Sequence, residues 1–330
     1  MLRPPMERAG LEDPCTTAWS TERETDSCER ILVIRHGAFG DLIQSEGALR
    51  DIRAHHRHAR ISLLVAPVYA KLMARCPHVD ELILDSRAPL ARLRCNLRVL
   101  KKLHNADFDR VYDLQGSFRT GLCRKLLSKG RPWFRKNNPG TSQRPDRDVY
   151  AELLHQAGVA NRHVRQPDVR WMADDVASVL AAHAVRPGYV ALVPGSAARH
   201  AHKRWPHYAE LARLIQSQGR QVVIAPGPDE MELARELPCI ALQTPSGHLD
   251  WFALAGVLRR AAFVVGNDTG PTHLAACIGT PGLALFGPHT TVERTGIRVR
   301  AFDAIQVDDL RELSAADVFQ RMELGLRKAA

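Results

Sequence analysis

Residues 262–289 read Ala-Phe-Val-Val-Gly-Asn-Asp-Thr-Gly-Pro-Thr-His-Leu-Ala-Ala-Cys-Ile-Gly-Thr-Pro-Gly-Leu-Ala-Leu-Phe-Gly-Pro-His. A short apolar run stops at a polar, glycine-bearing turn, an alanine-rich helical pattern follows, and a second apolar run closes the stretch. That is one strand–helix–strand unit. Pro271 suits the first turn of the helix, where its missing N–H costs nothing. Gly270 lets a ligand approach the backbone, and the unpaired amides of a helix start attract phosphate. Asp268, Thr269 and His273 place polar side chains at the same mouth. A lone Asp-Thr-Gly reads as an ordinary turn capped by Asp268 or Thr269. The histidine two residues after Pro271, and the second turn at 279–281, set this one apart.

The same alternation extends in both directions. Upstream, apolar runs at 31–34, 61–65, 82–84 and 111–114 are too short for helices, and helical patterns fill 43–58, 68–75, 90–104 and 118–127. In the second half, strands are expected at 190–193, 221–225, 263–265 and 283–286. Helices are expected at 206–218, 229–237, 251–259 and 272–278, with a helical pattern after 308. Strand–helix alternation predicts parallel sheets covered by helices, the α/β class. A chain of 330 residues exceeds one ordinary core and predicts two such units. Pro187-Gly188 marks the junction between them. The polar stretch 137–148 reads as a long loop, and 1–29 as a disordered extension with no signal-peptide core.

Charge is uneven. The chain carries a formal +10, yet residues 31–136 hold 21 Lys/Arg against 9 Asp/Glu. Such a concentration implies an anionic partner. No zinc-finger or aromatic RNA-binding signature accompanies it, which argues against nucleic acid. The seven scattered cysteines suit a reducing compartment and lack metal-site spacing.

Two further segments stand at expected strand ends. Arg35-His36-Gly37-Ala38-Phe39-Gly40-Asp41-Leu42 follows the first strand and opens a helix at 42. It carries G-x-x-G rather than the G-x-G-x-x-G of a dinucleotide site, and no acidic residue ends the second strand. Asp41 alone reads as a helix cap. Pro194-Gly195-Ser196, followed by Lys203-Arg204-Trp205-Pro206, ends the strand at 190–193. A serine hydroxyl and a lysine ammonium suit a departing diphosphate. Asp107-Phe108-Asp109 mimics a metal-binding pair but precedes its strand, away from the edge where ligands bind, and reads as a solvated strand start.

These three motifs, in this order over roughly residues 30–290, resemble glycosyltransferase family 9, the bacterial lipopolysaccharide heptosyltransferases. The resemblance implies a GT-B architecture of two doubly wound Rossmann-like domains facing a cleft. It places an acceptor domain at 30–180, a nucleotide-sugar domain at 188–308, and a final helix at 309–330 crossing back to the first. It implies an inverting, metal-independent transfer of heptose from ADP-heptose to an anionic glycolipid, with no cofactor. Asp41 would be the catalytic base. Ser196, Lys203, Asp268, Thr269, Gly270 and His273 would serve the donor, with Glu230 as a ribose ligand, though a cap or a solvated helix end explains Glu230 almost as well. Gly40 and Arg119 would lie on the acceptor side. Peripheral, electrostatic attachment to the inner face of the cytoplasmic membrane is expected. Rivals are a family-9 transferase with another nucleotide sugar or acceptor, a non-catalytic binder of the same fold, and a sugar-nucleotide epimerase.

Overall fold

The computed structural model describes residues 28–88, 93–137, 144–245 and 247–329. Residues 1–27 of the expected extension and 138–143 of the expected loop lie outside the described residues.

In the first half, β1 (Arg30–Ile34) leads into α1 (Phe39–Gln44) and α2 (Glu46–His55), then β2 (Arg60–Val65), α3 (Ala70–Met73) and β3 (Glu81–Leu84). There follow α4 (Leu93–Ala106), β4 (Arg110–Asp113), α5 (Phe118–Leu127), β5 (Trp133–Arg135) and α6 (Asp146–Gln156). The second half runs α7 (Ala177–Ala182), β6 (Val190–Val193), α8 (Tyr208–Ser217), β7 (Val222–Ile224), α9 (Met231–Glu236) and β8 (Ile240–Ala241). It ends with α10 (Trp251–Arg260), β9 (Phe263–Asn267), α11 (Gly270–Ile278), β10 (Gly282–Phe286), α12 (Val292–Thr295), β11 (Phe302–Gln306) and α13 (Ala315–Ala329).

The strands form two sheets, ordered β3-β2-β1-β4-β5 and β11-β10-β9-β6-β7-β8. Every pairing between these strands is parallel. Burial on both faces explains the near-continuous apolar runs of β1 and β9. Strand order reverses beside β1 and β4 in one sheet, and beside β6 and β9 in the other. At such switch points the outgoing loops diverge and open a crevice. The Arg35–Asp41, Pro194–Ser196 and Asp268–Gly270 segments all emerge there.

A single cluster of buried side chains runs from Ile31 and Leu63 through Phe39, Val169 and Met172 to Leu274 and Phe286. The halves therefore share a core rather than meeting across solvent. Two separate clusters back the outer faces of the two sheets.

Four expectations need correction. The helix after β1 begins at Phe39, not 42, because Gly40 is accommodated inside its first turn. The stretch 137–148 is not loop throughout: Asp146 opens α6, whose Tyr150 and Leu154 are fully buried. The chain passes between halves before Pro187-Gly188. His183, just after α7, accepts from the Gln243 amide, and the Ala184 carbonyl accepts from Gln221 Nε2, both in the second half. Finally, α13 does not cross back. Its Val318 and Met322, four apart on one helical face, are buried with Val190, Leu211 and Phe263 in the core of the second sheet.

Candidate active site

The first edge is built around Gln115. The Asp113 carboxylate that ends β4 accepts from the Gln115 and Gly116 amides. Gln115 Oε1 then accepts from the amides of His36 and Gly37, each at 3.0 Å. The loop before α1 is thus clamped from the neighbouring strand. Arg35, 2 % exposed, lies under that loop and donates to the Leu114 carbonyl at 3.3 Å and to Asp146 at 3.4 Å. Asp146 also receives the Lys136 ammonium at 2.5 Å. Burial of the Arg35 guanidinium opposes its charge, yet Tyr150, Asp41, Asp146 and Asp113 around it keep it firmly protonated.

Asp41 stands at the third position of α1, and its Oδ2 lies 3.3 Å from Arg35 Nη2 with half of the side chain open to solvent. The helix cap is Ala38, with no side-chain cap bond, so the capping reading of Asp41 is not the one the fold uses. Gly37 makes the pairing possible: a Cβ there would sit 2.9 Å from Asp41 Oδ2.

The second edge is built around Asn267, which is fully buried at the end of β9. Its amide donates to the Pro194 carbonyl at 2.7 Å, and its oxygen accepts from Trp205 N and the Tyr208 hydroxyl. Asp268 follows and collects three cationic or imidazole donors: Lys203 Nζ at 2.7 Å, His289 Nε2 at 3.0 Å and His273 Nε2 at 3.1 Å. Burial alone would raise the carboxyl pKa. The bonds from His273, His289 and Lys203 overcome that and hold it far below the ordinary carboxylate range. The Lys203 ammonium keeps residual access to solvent.

Thr269 caps α11 in an extended conformation without bonding the helix amides, and Pro271 sits at the second position. The first-turn amides of Gly270 and Thr272 have no intrahelical acceptor, as at any helix start. Glu230 accepts from the Gly227 amide at 3.0 Å and presses against the turn at Gly195, where a Cβ would meet Glu230 Oε1 at 1.7 Å. Ser196, Lys203, Glu230, Asp268, Thr269 and Gly270 are therefore gathered on one edge.

Two expected site residues are engaged elsewhere. Ser196 Oγ donates to the His200 carbonyl at 3.0 Å and accepts from Arg204 Nε at 3.2 Å, so it shapes its own loop. Arg119 spans the Ala88 carbonyl, Asp85 and Asn96, and Asp85 also lies 3.1 Å from His36 Nε2. Its charge is answered within the first half. Asp107 pairs with Arg131 and Asp109 accepts from the Arg30 amide, in agreement with a solvated strand start. Arg204, absent from the expected set, holds Ser196 through both carbonyl and hydroxyl.

The two edges meet directly. Gly40 of α1 faces the His273 ring, where a Cβ would approach within 3.3 Å, and Gln44 lies 3.1 Å from His273 Nδ1. Phe39 covers Gly270 and stacks on Trp251 at 3.9 Å between centroids. The helix that carries Asp41 thus lies against the helix start that carries Thr269 and Gly270.

The sequence pattern of glycosyltransferase family 9 (heptosyltransferase) matches residues 145–316. The chain belongs to that family. It is a glycosyltransferase of GT-B architecture. Lipopolysaccharide heptosyltransferase 2 of Salmonella typhimurium is 28 % identical over 298 residues, which covers 78 % of this chain and 83 % of that one. Among solved structures, the family 9 glycosyl transferase of Veillonella parvula superposes with a TM-score of 0.74 at 20 % identity, over 91 % of this chain and 97 % of that one. The E. coli heptosyltransferase WaaC with ADP gives 0.69 at 19 % identity, over 90 % and 99 %. At these identities the structural likeness speaks for the fold.

Proposed function

We propose that this glycosyltransferase moves a heptose from ADP-heptose to the lipopolysaccharide inner core or a related anionic glycolipid. The second half binds the nucleotide sugar and the basic first half binds the acceptor. The named heptosyltransferases support the reading, and one observation in the structure carries it. Asp41 is an accessible carboxylate on α1, and α1 packs against the α11 start that carries Thr269 and Gly270.

The chemistry follows from those groups. Asp41 takes the proton from the acceptor hydroxyl as its oxygen attacks the anomeric carbon from the face opposite the nucleotide, so the configuration inverts. Arg35 holds the Asp41 carboxylate in place through their 3.3 Å pairing. The glycosidic C–O bond to the diphosphate breaks, and negative charge grows on the leaving oxygen. The α11 amides and the Lys203 ammonium stabilise that charge without a metal. Lys203 shifts from Asp268 toward the phosphate, and Asp268 stays bonded to His273 and His289. Glu230, fixed beside Gly195, receives the ribose hydroxyls. Gly40, expected on the acceptor side, lies against the His273 ring, and its missing side chain lets α1 pack on α11. The enzyme works at the inner face of the cytoplasmic membrane, in peripheral contact with it; no helix among the described residues is long and apolar enough to cross a membrane.

Incubation with ADP-heptose, with and without a heptose-deficient lipopolysaccharide core, tests the reading. ADP release and product mass gain only with acceptor support it. Release of heptose without acceptor, or activity restricted to another nucleotide sugar, would replace it.

A further inference from the structure

Seven large apolar side chains are exposed among the described residues, and four of them lie on α4 and α5. Phe118 is 81 % exposed, Leu97 60 %, Leu126 56 % and Leu122 40 %. Phe118, Leu122 and Leu126 recur every fourth residue and so form one stripe along α5. Leu122 and Leu126 also line a groove shared with Val99, Leu100 and Leu103 of α4. Core packing does not account for the stripe: the cluster behind the two helices is filled by Leu103, Ala106 and, in part, Leu127, and includes none of the four exposed side chains.

The charge of the same two helices is one-sided. Neither contains an Asp or Glu. Arg98, Lys101, Lys102, Arg124 and Lys125 are exposed, and no ion pair to a carboxylate is formed by any of them among the described residues. By contrast, the neighbouring Lys129 and Arg131 are both occupied by Asp107. An apolar stripe flanked by unneutralised cations fits a surface that is negative outside and hydrocarbon just beneath.

We propose that the α4–α5 face docks on an anionic lipid bilayer, with Phe118, Leu122, Leu126 and Leu97 entering the headgroup boundary and the five cations reading its charge. The proposal deepens, and rests on, the reading of a lipid-linked acceptor. Position adds to it. Phe118 is only three residues from Gln115, which clamps the loop before Asp41, so the docking face adjoins the acceptor edge. A glycan held by its lipid would emerge from the membrane beside the catalytic carboxylate. The attachment is then apolar as well as electrostatic, beyond the charge-only contact expected from the sequence.

The test is flotation of the full chain, without donor or acceptor, on two kinds of vesicle: phosphatidylethanolamine with phosphatidylglycerol, and phosphatidylcholine alone. The parent should float with the anionic vesicles only. At 1 M salt, where screening length falls to about 3 Å, binding should weaken but persist. Leu122→Ser/Leu126→Ser and Lys101→Glu/Lys125→Glu should each lower the bound fraction about tenfold or more. Both should keep the parent's melting temperature and its transfer to a delipidated core oligosaccharide. The charge variant leaves the apolar packing alone, so it decides the matter if the serine variant is unstable. Parent that ignores anionic vesicles, or variants that bind as the parent does, would overturn the proposal. So would sedimentation showing a dimer that the serine variant dissolves, which would assign the face to a second copy. Loss of transfer with every donor would remove the proposed activity while leaving the flotation result standing.

Discussion

Gln44 Nε2 and His273 Nδ1 lie 3.1 Å apart, joining the helix of Asp41 to the helix that starts at Thr269 across 229 positions of chain. With the Gln44 amide donating, His273 carries its proton on Nε2 and gives it to Asp268 Oδ1. Asp268 in turn holds Lys203. One line of hydrogen bonds therefore runs from the helix that carries Asp41 to Lys203. Gln44→Leu leaves a buried ring nitrogen without a partner, which costs about 1–3 kcal/mol. The expected outcome is a lower melting temperature together with slower turnover at saturating donor. Turnover equal to the parent's would show that the line fixes stability only.

Lys203→Ala should weaken ADP-sugar binding and slow turnover further, because the ammonium meets more charge in the transition state than in the ground state. A charge-assisted bond of this kind is worth about 1.5–3 kcal/mol, or roughly 10- to 150-fold. Calorimetry with ADP and steady-state kinetics would check both effects. Unchanged affinity and unchanged turnover would place Lys203 outside the site.

Asp268 sets an acid limit on stability. Its folded pKa is depressed, so its contribution is present above the unfolded value of about 3.9 and disappears as pH falls through the lower folded value. Asp268→Asn should destabilise by about 3 kcal/mol at neutral pH. The gap between parent and variant should stay constant down to about pH 4 and narrow below it. A gap that does not narrow below pH 4 would mean that the Asp268 carboxylate does not set the limit.

Gly195 and Glu230 should show strong coupling. Gly195→Ala puts a methyl within 1.7 Å of Glu230 Oε1 and must expel that carboxylate from beside the turn. Nucleotide affinity should fall as it does in Glu230→Ala, and the double variant should lose no more than either single one. Additive losses would separate Glu230 from the nucleotide.

The alternation of the two halves was legible because most strands are apolar runs bounded by turns: 190–193 and 118–127 match β6 and α5 at both ends. What escaped was short or mixed. Trp133–Arg135 and Ile240–Ala241 are edge strands of three and two residues with only partial burial. Phe302–Gln306 alternates buried and half-exposed positions beside β10. The motifs placed Asp41 at the end of the first sheet and Lys203 with Asp268 at the end of the second, since loops leaving parallel strands emerge at one edge of their sheet. The partners were not legible. Arg35 reaches Asp41 over a turn with no helical spacing, and Gln44 sits in an ordinary helical pattern whose partner is brought close only by the packing of the two halves. Arg119 misled for the same reason: an arginine at a strand's carboxyl end looks available until Asp85 and Asn96 are seen around it.

The sharpest test falls on Asp41. Asn is nearly isosteric, and the carboxylate makes no helix-cap bond that the amide would forfeit. Arg35 would retain Asp146 and the Leu114 carbonyl, so Asp41→Asn should fold and bind ADP-sugar much as the parent does. Half of the Asp41 side chain is open to solvent, and the loss of its pairing with Arg35 should cost about 1 kcal/mol or less. The amide cannot take a proton from the acceptor hydroxyl, and general-base catalysis contributes about 10²–10⁴-fold. Turnover should therefore collapse while donor affinity is preserved and the melting temperature changes little. An Asp41 that served only to anchor Arg35 would give the opposite pattern, a shifted melting temperature with most of the turnover kept. Measuring all three quantities on one preparation separates the roles, and retained turnover on a verified donor and acceptor would end the case for Asp41 as the base.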